Sequence, residues 1–401
     1  MQRRKVRIFF EKVIETVLGT SSALTSLAVI LITVFLFSEG ISLFGERPIE
    51  KNFELALNKN NPVNHLTSLQ IKNIFDTKIT NWKEVGGLNQ QIKLFTINDI
   101  GQYFSDDEVG AKFENLPKCI NDLVTRDTAI IAYLPAKYVS KDFTGKKLDI
   151  DKITVGSFLG GKEWFPTAEP VAQIGILPLI MGTLWVCFGA ILLALPLGLA
   201  TSIYMAEIAN QRIRNIIKPI IELLAGIPSV VYGFFGLVII VPLLQRTFDL
   251  PVGETGLAGS IILAIMVLPT IITIAEDAIR TTPNAMREAS LALGATQWQT
   301  IRRVVLPHSI LGITAAVVLG IGRAFGETMA VLMVTGNAAV MPGSILEPMR
   351  TITATIAAEL GETSQGGLHY KSLFALGCVL FIITLITNMS VEWATRRRKL
   401  A

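Results

Sequence analysis

Two ionisable residues interrupt an apolar stretch. Gly320 to Met329 reads G-I-G-R-A-F-G-E-T-M, which places Arg323 and Glu327 four residues apart. In a helix that spacing puts both side chains on one face. Arg323 lies roughly 20 Å along a helix from Pro307, near the middle of a bilayer. An ionisable group there costs at least about 2.5 to 3.5 kcal/mol, so it needs a partner or a water-filled path. One reading is anion recognition. The planar guanidinium offers paired N–H donors to a tetrahedral oxyanion, while Glu327 orients it, keeps the anion from binding too tightly and accepts a proton. The other reading is a structural ion pair between helices. Gly322 and Gly326 let a second helix come close in either case. Thr328 follows on the same stretch, and Ser229 and Tyr232 stand in G-I-P-S-V-V-Y-G-F-F-G (Gly226 to Gly236). These three are further candidates to line a path, although Gly and Pro in that run suit plain helix packing equally well.

A second constellation is the polar island Pro283 to Pro307, P-N-A-M-R-E-A-S-L-A-L-G-A-T-Q-W-Q-T-I-R-R-V-V-L-P. Pro283 suits a helix start, Asn284 to Leu293 are mostly good helix formers, and Gly294 stands where a helix stops in a left-handed residue. No catalytic chemistry emerges elsewhere. His65, His308 and His369 are scattered, the three cysteines lie far apart, and neither a nucleophile constellation nor a metal-ligand spacing is visible. No G-x4-G-K-[ST] run is present, so this chain is not itself an ATPase, and no cofactor or metal is expected on it.

The elements that must position these residues are membrane helices. With 51% hydrophobic residues, 17% charged and a mean hydropathy of +0.51, the 401 residues are too apolar for an ordinary soluble domain. The spacing predicts spans over Leu18 to Phe37, Ile174 to Ala206, Leu223 to Gln245, Thr255 to Ala275, Ser309 to about Thr335 and Ser372 to Ser390. Basic clusters at Arg3 to Lys12, Arg212 to Lys218, Arg280 to Arg303 and Arg396 to Lys399 all fall on one side in this count. The positive-inside rule puts that side, and both termini, in the cytoplasm. The net charge of +4 is small for the length, so the basic residues read as topology signals beside membrane lipid, and nucleic-acid binding is not indicated. Between the first two spans the composition turns to Lys, Asn, Asp and Thr. This is an extracytoplasmic insert with a helix over Leu69 to Phe75 and strands at Ile92 to Thr96 and Ala129 to Tyr133. The fold class is thus all-α and polytopic, with six transmembrane helices and a small α+β insert. Its parts are 1–45 (N-terminus and first helix), 46–170 (insert), 171–395 (five-helix core with a loop at 276–308) and 396–401 (basic tail).

Three resemblances follow from these motifs. Glu288, Ala289, Ser290, Gly294, Val304, Leu306 and Pro307 resemble the E-A-A-x3-G-x9-I-x-L-P loop of ATP-binding-cassette importer permeases, with Ser290 and Val304 as conservative departures. In that family the loop is a cytoplasmic coupling helix seated on the ATPase. R-A-F-G-E-T-M-A-V (Arg323 to Val331), the Gly226 to Gly236 run and T-I-T-A-T-I-A-A-E-L-G-E (Thr351 to Glu362) resemble the PstC-type permeases of phosphate-specific importers. That likeness implies a type I permease of the bacterial inner membrane that passes inorganic phosphate. It further implies a PstA-type sister permease as heterodimer partner, two PstB-type ATPase copies holding ATP and Mg, and a PstS-type phosphate-binding protein. Finally, Thr67 to Gly87 with I-K-L-F-T, and A-I-I-A-Y-L (Ala129 to Leu134), resemble part of one lobe of the phosphate-binding proteins. The hydroxyl-rich loop that holds phosphate there is replaced here by N-D-I-G-Q-Y-F-S (Asn98 to Ser105). The insert is therefore expected to serve mainly as a docking or structural module. Sulfate or molybdate transport, and a membrane phosphate sensor built on the insert, are the competing functions.

Overall fold

The structure is a computed structural model describing residues 2–110, 113–139 and 143–397; of 2–11, 106 and 394–397 the backbone alone is described. The expected basic tail therefore falls outside the described residues from 398 onward, as do the side chains of Arg3, Arg4, Lys5 and Arg7.

Among the described residues six helices are long and apolar enough to cross a membrane: Lys12–Ile41, Leu177–Ile208, Ser229–Phe248, Gly256–Arg280, Gln297–Gly326 and Leu368–Trp393. The second, fourth and fifth form the centre. Val186, Ala190 and Ala194 pack against Leu263, Val267 and Ile271, with Ala324 and Phe325 closing the cluster. Small residues permit this approach. A Cβ on Gly320 would come within 2.8 Å of Ile271, so spans four and five nearly touch just before Arg323. The first span is apolar and exposed along most of its length, and it meets the last through edge-on pairs Phe35–Phe374 and Phe37–Phe381.

Two expected spans prove to be broken helices. The third was expected over Leu223 to Gln245, with Gly and Pro in it able to break the helix. An amphipathic helix Gln211–Gly226 ends at extended Ile227, and the span itself starts only at Ser229. Pro228 is the cause, since it lacks an N–H and forces its predecessor out of the helical region. The fifth was expected to reach about Thr335, but it stops at Gly326 and resumes only over Met329–Val334. At its other end it runs through Pro307 by way of a widened turn at Ile301–Val305, which makes room for the proline ring. Between the fifth and sixth spans, the stretch Asn337 to Lys371 carries the half-buried helix Ile352–Glu359.

In the insert, strands Lys93–Thr96, Ile130–Pro135, Phe53–Leu57 and Lys146–Lys147 lie side by side in that order. The first two are parallel and the remaining pairings antiparallel. Alternation sends Leu55, Leu57, Ile131 and Tyr133 to one face and Ala56, Ile130, Ala132 and Leu134 to the other, each under its own apolar cluster. Helix Ser68–Phe75 starts in a capping box between Thr67 and Gln70. The strand Phe53–Leu57 was not foreseen. The insert is packed firmly onto the bundle, since Phe158, Trp164 and Ile174 share one core with Leu43, Leu179, Ile352 and Leu373.

Candidate functional site

Arg323 lies in the last turn of the fifth span, half-buried. Its Nη1 donates to Thr270 Oγ1 on the fourth span at 2.9 Å, and among the described residues no carboxylate lies within ion-pair distance. The expected common helix face with Glu327 is corrected by the structure. Glu327 follows the helix end in extended conformation (φ −72°, ψ 136°). Its Oε1 instead faces the backbone N–H of Ala330, 3.5 Å away at the start of the next helix. A carboxylate is favoured there by the free N–H groups of a helix start. The Glu327 carbonyl accepts from Thr353 Oγ1 at 2.8 Å, which ties the break to the helix Ile352–Glu359. The ion-pair reading therefore has no geometric support here, and Thr270 takes the orienting place expected of Glu327.

Thr328, half-buried beside this break, donates to Gly326 O at 3.3 Å. Ser229 is the first residue of the third span. Tyr232 is buried, and its hydroxyl donates to Leu224 O at 2.7 Å, so the phenol clasps the break around Pro228. Thr270 was missed in the sequence. Its only signal there was a hydroxyl after the helix-interior Pro269, which reads equally well as packing.

The polar island folds at the opposite end of the bundle from the insert. Helix Asn284–Ala292 follows Pro283 as its cap, one residue later than expected, and Gly294 has φ +84°, the left-handed stop its position called for. Arg287 donates to Glu207 Oε1 at 2.6 Å and to Ile279 O at 3.1 Å, while Gln297 donates to Glu207 O at 3.1 Å. These contacts hold the loop on the ends of spans two and four. Ser290 and Thr300 hydroxyls meet at 2.9 Å. Glu288 and Ala289 are exposed to solvent, Leu306 and Pro307 follow the widened turn, and Leu291, Leu293 and Trp298 are exposed as well. Beneath this loop the buried Glu276 is ringed at 3.5 to 3.8 Å by Arg280, Lys218 and Arg214. That cage fixes the amphipathic helix Gln211–Gly226 against the fourth span.

In the insert, a cavity of about 400 Å³ opens at the end of the parallel strands, where ligands of such sheets commonly sit. Its walls include Phe53, Phe75, Tyr133 and Glu169. Thr96 is occupied, its N–H and hydroxyl both donating to Asp99 Oδ2 at 2.9 and 2.7 Å. A carboxylate in the wall and a threonine already engaged oppose an anion there, in keeping with the altered Asn98 to Ser105 loop.

Residues 198–400 match the family model described as binding-protein-dependent transport system inner membrane component. A probable ABC transporter permease protein of Bacillus subtilis, YqgH, is 42% identical over 243 residues, covering 60% of this chain and 78% of the relative. The phosphate transport system permease protein PstC of Mesorhizobium japonicum is 40% identical over 249 residues, covering 57% and 75%. A phosphate-bound substrate-binding protein from Clostridium perfringens, described as a putative phosphate ABC transporter component, matches 27% of this chain and 49% of its own at 28% identity, with a TM-score of 0.19.

Proposed function

The chain belongs to the binding-protein-dependent transport system inner membrane components, and from that premise we propose that it is the permease subunit of an ATP-driven importer of inorganic phosphate. The carrying observation is the Arg323 guanidinium, placed within a membrane span with a neutral hydroxyl as its polar partner and no carboxylate beside it among the described residues. A positive charge left uncompensated in that setting attracts an anion. The likeness to the PstC protein of Mesorhizobium japonicum supports phosphate over sulfate or molybdate.

In this reading the chain pairs with a PstA-type sister permease, and Arg323, Thr328, Ser229 and Tyr232 face the path between them. Glu327, at the helix break beyond Arg323, receives the proton of the hydrogen-bearing anion. The insert is extracytoplasmic and meets a PstS-type binding protein, while both termini and the 276–308 loop are cytoplasmic. Two PstB-type ATPase chains hold ATP and Mg and seat Glu288, Ala289, Ser290 and Gly294 in a surface groove.

Arg323→Gln tests the function. Phosphate uptake by the assembled importer should fall by at least about 100-fold, because a charge-assisted bidentate contact is lost in a low-dielectric path. Arg323→Lys should recover only part, since an ammonium lacks the planar fork. Parental uptake in Arg323→Gln would refute the anion role.

A further inference from the structure

The hydroxyl groups of the core helices mostly turn back on their own backbone. Thr183, Ser202, Ser260, Ser309 and Thr335 each donate to the carbonyl four residues earlier, at 2.6 to 3.0 Å. That habit satisfies the hydroxyl hydrogen inside an apolar helix. Thr270 departs from it. Its oxygen accepts from Arg323 Nη1 at 2.9 Å, and its hydrogen has no acceptor among the described residues. The residue is half-buried, so part of its surface is not covered by the described residues of this chain.

The backbone explains why the two groups meet. Gly320 lets Ile271 of the fourth span within 2.8 Å of where a Cβ would stand, and the buried Ala324 adds little bulk one turn later. Spans four and five are thereby held close enough for a threonine to reach a guanidinium across the seam. A neutral acceptor fixes the direction of the fork without cancelling its charge, as a carboxylate would.

We propose that Thr270 is a second phosphate-contacting residue of the permease: it holds Arg323 through its oxygen and donates its own O–H to an oxygen of the passing anion. The proposal rests on the assignment of Arg323 to the anion path. An oxyanion beside Arg323 would then take N–H donors from the guanidinium and one O–H donor from Thr270. Thr270 is better placed to hold Arg323 than Glu327, whose carboxylate faces the Ala330 N–H.

The test is made on the importer reconstituted with its sister permease, ATPase and binding protein in phospholipid vesicles, with phosphate moved and ATP hydrolysed both counted per assembled complex. Thr270→Val keeps the shape and removes the hydroxyl. It should lower phosphate moved per ATP by about tenfold, the worth of a hydrogen bond to a charged group. Thr270→Ser, which restores the donor, should keep the parental ratio. If Thr270→Val transports normally while Arg323→Gln does not, Thr270 is packing only and the anion role of Arg323 stands. Normal transport in Arg323→Gln overturns both. Should Thr270→Val fail to assemble, Thr270→Ala takes its place: a lost ratio with intact assembly supports the proposal, and a parental ratio refutes it. A serine variant as poor as valine at equal assembly also refutes it, because the methyl group would then be what matters.

Discussion

The two ends of the helical bundle treat buried charge differently. At the insert end, Glu359 accepts from Arg350 Nη1 at 2.7 Å and from Trp164 Nε1 at 3.1 Å, and meets His369 Nε2 at 2.8 Å. Trp164, 195 residues away in sequence, is thereby locked onto a carboxylate already held by its near neighbours Arg350 and His369, and Lys371 adds an ion pair to Glu46. At the loop end, Glu276 is more deeply buried, yet its cations stand 3.5 to 3.8 Å away and Oε1 has no hydrogen-bond partner. Around it, Leu291, Leu293 and Trp298 are left exposed. One end is closed by the chain's own contacts. The other holds a scaffold in place and leaves apolar surface for a partner, as an interface that forms between chains requires.

The strongest way to break this contrast is Glu359→Ala. It leaves the buried Arg350 uncompensated and should cost about 3 to 5 kcal/mol, read as thermal unfolding of the detergent-solubilised chain. The same carboxylate gives a pH signature. Burial pushes its pKa up, but the His369 hydrogen bond, the Arg350 charge and the Trp164 N–H outweigh that and hold it below the ordinary carboxylate range. A carboxylate depressed in the folded state contributes stability above its unfolded pKa and loses it as pH falls through the folded value. The junction should therefore be insensitive to pH near neutrality and weaken in acid, and Glu359→Gln should flatten that acid limb. An unchanged acid limb would show that another group sets it.

A smaller effect belongs to the loop end. Gly294 has φ +84°, and no atom lies within 4 Å of the place a Cβ would take, so only the backbone opposes a side chain. Gly294→Ala should cost about 1 kcal/mol, measured by amide exchange over 284–300. No change in protection would mean that this turn relaxes freely. The smallest effect on stability should come from Leu293→Asp. Leu293 is 90% exposed, and the change should alter stability by no more than about 0.5 kcal/mol. If the loop seats on the ATPase as proposed, coupled phosphate uptake should nevertheless drop, because the apolar contact is gone. A clear loss of thermal stability would show that the loop end is closed by intrachain packing after all.

The expectations that succeeded were those that depend on neighbours along the chain. Six runs of apolar residues long enough for a bilayer needed only counting, and Gly294 could be foreseen as a left-handed stop because the helix formers before it and the glycine itself are local facts. The insert's helix and two of its strands were legible for the same reason, whereas Phe53–Leu57 was recognisable only through its pairing with Ile130–Pro135, more than seventy residues away.

What failed depended on contacts across the fold. Arg323 and Glu327 looked like partners because a continuous helix would align them, but the helix ends at Gly326, where Thr353 of another segment holds the Glu327 carbonyl. The break at Pro228 was suggested by the proline, while its clasp by Tyr232 and Leu224 was not. By itself the sequence determined that the chain crosses a membrane, which stretches form its polar loop and insert, and that a guanidinium stands in the fifth span. Tertiary structure alone decided that this guanidinium faces Thr270 instead of Glu327, because a hydrogen-bond partner is set by the close approach of two helices some fifty residues apart, which no local periodicity encodes.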